Sequence, residues 1–79
     1  MVLVEKLNNE ISEIKYELEE LRLAYKKLIH KQEQAISEKD FKQLDVILPQ
    51  MTRIERHQNS LKRILYTLEA TKRMYLKKF

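Results

Sequence analysis

The chain has 79 residues, a formal net charge of +4, no Gly, no Cys, no Trp and a single Pro. Average usage would place about five glycines and four prolines in a chain of this length. Sheets need turns built on Gly or Asn, so the composition excludes β and α/β folds, along with the Gly-rich loops that cradle phosphates. The absence of Cys removes disulfide scaffolds, thiolate metal sites and cysteine nucleophiles, and is neutral about compartment.

Hydrophobic residues make up 43% and charged residues 35% of the chain. This is too apolar for a disordered segment and too charged for a membrane protein. Residues 1–79 make one structural unit. The longest uninterrupted apolar run is residues 1–4, far below the roughly 20 that span a bilayer and without the basic start and apolar core of a signal peptide. The expected location is the cytoplasm, with no membrane partner.

The first predicted element is a helix over about residues 3–35. Val4, Leu7, Ile11, Ile14, Leu18, Leu21, Tyr25, Leu28 and Ala35 recur at alternating spacings of three and four, with Gln32 as the one polar member. In heptad letters Val4, Ile11, Leu18, Tyr25 and Gln32 take a, and the others take d. Such a run in register is a strong amphipathic-helix signal.

The pattern slips at residues 35–40. Ser37 followed by Asp40 reads as an N-cap with an acidic N3 residue, and Ile36 and Phe41 take the hydrophobic-staple positions around it. This predicts a break near residues 34–37 and a second helix over about 38–78.

Leu44, Ile47, Met51, Ile54, Gln58, Leu61, Leu65, Leu68, Lys72, Tyr75 and Phe79 form the second seam, which Phe41, Leu48, Ile64 and Leu76 widen, as in a bundle. Pro49 removes a hydrogen bond to the Asp45 carbonyl. The seam crosses it without a phase shift, which predicts one kinked helix; the alternative is a short helix over 38–47 and another from about 50.

A short connection forces the two helices antiparallel, and the charges agree. Residues 1–20 hold six Glu against two Lys, and residues 50–79 hold eight Lys and Arg against two Glu. The acidic start therefore lies beside the basic end, where Lys72 is expected to reach Glu5. The predicted fold is all-α: a long antiparallel two-helix hairpin, kinked at Pro49. One mutual interface leaves apolar side chains uncovered in a chain without disulfides or metal. The expected completion is a four-helix bundle, formed by homodimerisation or with a helical partner. Tyr16, Leu23, Ile64, Tyr66 and Leu76 lie off the seam and are the candidate partner-binding residues.

The residues offer little chemistry. Neither His30 nor His57 follows a Glu at the spacing of the Glu-x-x-His arrangement of carboxylate metal sites, since Lys27 and Ile54 hold those positions. The Glu residues sit on a solvated helix face rather than around a pocket. No catalytic residue, metal site, cofactor or small-molecule substrate is assigned. The basic second helix carries the alternative: Arg56, Arg63 and Lys77 share one column, Arg73 flanks it, and a basic helical stripe can bind phosphate backbones.

Residues 31–53, with Ala35, Ile36, Asp40, Phe41 and Leu44 set against the order small-apolar, polar, Asp, aromatic, x, x, Leu, resemble the helix break of small export chaperones. These are the needle-subunit co-chaperones of type III secretion and the FlgN- and FliT-type flagellar chaperones. The resemblance implies a helical hairpin that holds a partner's apolar helix, an adaptor or chaperone rather than an enzyme.

Overall fold

The computed structural model describes residues 2–78. Two helices, α1 (Val2–Ser37) and α2 (Phe41–Lys77), fold back on each other into a rod 60 Å long and 15 by 13 Å across. Its radius of gyration is 17.8 Å, against about 12 Å for a compact domain of this length. No helix is long and apolar enough to cross a membrane among the described residues.

Every predicted seam residue is buried or half-buried, apart from Phe79, which lies outside the described residues. Counting back from the turn, Ala35 falls opposite Leu44, Leu28 opposite Met51, Tyr25 opposite Ile54, Leu18 opposite Leu61, Ile14 opposite Leu65 and Val4 opposite Tyr75. An a residue of one helix thus always meets a d residue of the other, the layering that antiparallel 3–4 seams produce. The densest packing is in the turn half, where Leu28, Ala35, Ile47 and Met51 form one cluster, with Tyr25, Ile29, Leu44 and Ile54 against it. Leu7, Ile11 and Leu61 extend the core toward the open end. Gln32, Gln58 and Lys72 interrupt the seam on one helix at a time and are half-buried. Polar residues at a cost stability but hold register.

Pro49 lies inside α2, which runs through it as one element. Pro49 and Asp45 are both exposed, so water can satisfy the carbonyl that loses its donor.

The turn departs from expectation. Helix α1 continues through Ser37, the break falls at residues 38–40, and the N-cap is Asp40. The Asp40 carboxylate accepts from the Gln43 backbone N–H at 3.2 Å. Ile36 and Phe41 staple nothing: they are 56% and 67% exposed. The physical reason lies in the end of α1. Asp40 N–H donates to the Ala35 carbonyl at 2.8 Å and Lys39 N–H to the Ile36 carbonyl at 3.1 Å, the two bonds of a Schellman motif. That closure satisfies two orphan carbonyls and leaves Asp40 in place to cap α2. It requires a left-handed residue, and Lys39 supplies it with φ of 56°. Phe41, Leu48, Ile64 and Leu76 do not widen the seam of the single hairpin, since all four are exposed.

A left-handed non-glycine residue costs about 1–2 kcal/mol. Lys39→Gly is therefore expected to stabilise the hairpin by about 1 kcal/mol and raise Tm by roughly 4–8 °C at fixed protein concentration. Thermal unfolding followed by circular dichroism checks it; an unchanged or lower Tm would contradict the turn geometry.

Candidate interaction faces

The seam fixes two flanks. One carries the e columns of both helices, where Lys15 meets Glu69 at 3.7 Å and the Tyr25 hydroxyl donates to Glu55 at 2.5 Å. The other carries the g columns, where His57 Nε2 meets Glu17 at 3.0 Å. These three contacts cross from helix to helix on the rim of the apolar seam. Exposed contacts of this kind contribute little to stability, so their role is to hold alignment. Glu5 and Lys72 do not form the expected ion pair; Lys72 is half-buried on the seam, beside a groove whose walls include Ile11, Lys15 and Glu69.

The e flank carries the densest group of uncovered apolar side chains. Ile29 and Ile36 are one heptad apart on α1, and Phe41 and Leu48 one heptad apart on α2; all four lie in the turn half. Ile36, Phe41 and Leu48 are exposed, while Ile29 is half-buried against the core. Next along this flank, Arg22 makes two hydrogen bonds to Glu19, at 2.7 and 3.0 Å. Those bonds hold the Glu19 carboxyl below the usual carboxylate range, the nearby guanidinium charge adding to them.

The g flank has a different character. A groove of about 430 Å³ runs between the helices, with walls that include Ala24, Leu28 and Ile54 and a rim that includes Lys27, Lys31 and Arg53. Toward the open end, α1 presents Glu10, Glu13, Glu17 and Glu20 in the g and c columns of the same flank.

The five candidate partner residues do not converge. Tyr16 and Leu23 share the outward column of α1, Tyr66 and Leu76 belong to the e side of α2, and Ile64 to the g flank. Tyr16 and Tyr66 are 69% and 70% exposed. The candidate phosphate-binding residues do share a surface: Arg56, Arg63 and Lys77 line the outward column of α2, with Arg73 beside it. Sequence reasoning missed the Glu17–His57 pair, having sought a carboxylate on the same helix; the g-to-g pairing of antiparallel helices was the signal that could have found it. Among the described residues no group of three or more His, Asp or Glu is placed to hold a metal ion.

Comparison with protein families, with curated proteins and with solved structures found no match.

The Glu55 hydrogen bond holds the Tyr25 hydroxyl above its ordinary value of 10. A raised folded-state pKa means that the contact contributes fully below the unfolded tyrosine's pKa and is lost as pH rises through the folded one. The difference in tyrosinate absorbance between the parent and Tyr25→Phe is expected to rise only above pH 10. Glu55→Gln should move that difference down toward pH 10; identical curves would contradict the assignment.

Proposed function

We propose that this chain is a non-enzymatic helical-hairpin interaction module that completes its bundle by associating with a second copy or with a partner's helix. One observation carries the reading: the seam is fully used between the chain's own two helices, yet large apolar side chains remain uncovered. The hairpin exposes 6463 Å². A compact protein of 9.7 kDa exposes about 5,100 Å². The excess, about 1,300 Å², is more than the roughly 800 Å² that each partner contributes to a standard interface. The Ile29, Ile36, Phe41 and Leu48 group suits an apolar helix laid across the turn half, in the manner of helix-in-groove recognition. An adaptor, chaperone or inhibitor would use it in that way, and the resemblance of residues 31–53 to export chaperones agrees.

A second reading, nucleic-acid binding by the outward column of α2, is favoured by one observation. Arg56, Arg63, Arg73 and Lys77 make no ion pair with another described residue and are exposed, so their charge is available to phosphates.

Light scattering at about 50 µM, on the pure chain and on the chain recovered from its native cell, tests the first reading. The expected mass is at least twice 9.7 kDa, or that of a stoichiometric complex with a helical protein; a lone monomer in both preparations would overturn it. The second reading is separated by titration against duplex RNA and DNA. The interaction-module reading predicts no binding tighter than about 100 µM at 150 mM salt. Micromolar binding that weakens steeply with salt and is lost in Arg56→Ala with Arg63→Ala would favour the nucleic-acid reading instead.

A further inference from the structure

We infer that the g flank of α1 is a self-complementary dimer face, on which a second copy of this chain lies antiparallel about a two-fold axis beside residue 22. The inference rests on the association reading above and names the partner, the face and the register.

Charges follow a fixed order along this flank. Between residues 10 and 20 the g and c columns of α1 are acidic; past Ala24 they turn basic at Lys27 and Lys31, with Lys6 before the acidic stretch and Glu38 beyond the basic one. A two-fold axis perpendicular to the rod turns one end of this stripe onto the other. It sets Glu13 against the partner's Lys31, Glu17 against the partner's Lys27, and Glu20 against the partner's Ala24, whose small side chain lets the helices approach. The same register continues outward with Glu10 facing Gln34 and Lys6 facing Glu38, so no like charges meet.

Shifted registers fail this test. Sliding the copies by one heptad in one direction sets Lys6 on Lys31 and Glu17 on Glu20. Sliding them the other way sets Glu13 on Glu38. Like charges placed opposite each other are repulsive, so the stripe selects one alignment.

Charge selects the register, and apolar burial supplies affinity. The stripe borders the groove whose walls include Leu28 and Ile54 and whose basic rim includes Lys27, Lys31 and Arg53. Beside it α2 presents Val46 and Ile64, 55% and 48% exposed, which this two-fold brings within about one helical turn of each other across the interface. Glu17 and His57 keep half of their side-chain surface open, so their contact leaves the carboxylate accessible to a second cation. The excess surface of the hairpin exceeds what each half of a standard dimer interface covers. The Ile36 and Phe41 group lies on the opposite flank and stays free for another partner.

Two charge-reversed chains test the face: Glu13→Lys with Glu17→Lys, and Lys27→Glu with Lys31→Glu. All four positions are exposed, and circular dichroism must show parent-like helicity in both. By sedimentation equilibrium the parent is expected to be a dimer, and each reversed chain alone weaker by roughly 30-fold or more. An equimolar mixture should regain a dimer containing one of each, because every reversed contact is then complementary again. High salt should narrow these differences. A reversed chain that dimerises like the parent, or a mixture that stays monomeric, would overturn the face and leave the association reading standing. A parent chain monomeric at about 200 µM and without any helical partner would overturn both.

Discussion

Everything in this molecule depends on a single apolar seam that zips two helices together in antiparallel layers, an a residue against a d residue throughout. Most helical stability in proteins comes from packing an amphipathic face rather than from propensity. Here the face is spent between the chain's own halves. That choice sets the rod shape, sends the two flanks in opposite directions and leaves outside whatever the seam cannot cover. The flanks are therefore the surfaces left for function.

The turn shows how the seam is served without glycine. A Schellman closure needs a residue with positive φ, the place where Gly is ordinarily found. This chain puts Lys39 there and accepts the strain. The return is compact: the closure ends α1 within two bonds and positions Asp40 to begin α2, so the seam restarts at Leu44 directly opposite Ala35. A looser connection would let the helices slide by a turn and move apolar side chains out of their layers.

Much of this was legible in the amino-acid order. The seam was, because a three-and-four spacing carried over many turns has only one physical explanation, and polar entries such as Gln32 do not break its phase. Continuity through Pro49 was legible for the same reason. The turn was not, because Ser37 and Asp40 are equally good caps as isolated residues; only the carbonyls at the end of α1 decide between them. The pairs Glu17–His57 and Tyr25–Glu55 were hidden because they join residues distant in sequence, and their partners emerge only once the register is known. The candidate apolar residues failed to converge because hydrophobicity marks a side chain as uncovered but does not say which flank it stands on. Ile36 and Phe41 fit the staple positions by spacing alone, but belong to a surface group with Ile29 and Leu48.

Two different surfaces result, one apolar near the turn and one ordered by charge along α1. In the dimer inferred above, a second copy reads the charged surface in one register. Distances between spin labels test it directly, and the absence of native Cys makes single labelling straightforward. A label at Leu23→Cys, on the exposed outward column, is expected to give an intermolecular distance of roughly 20 Å, because residue 23 lies close to the two-fold axis and packed helices sit about 8–10 Å apart. A label at Lys6→Cys is expected at roughly 50 Å, from the 1.5 Å rise per residue over the intervening helix. A long distance at residue 23, or the two distances in reverse order, would contradict this register.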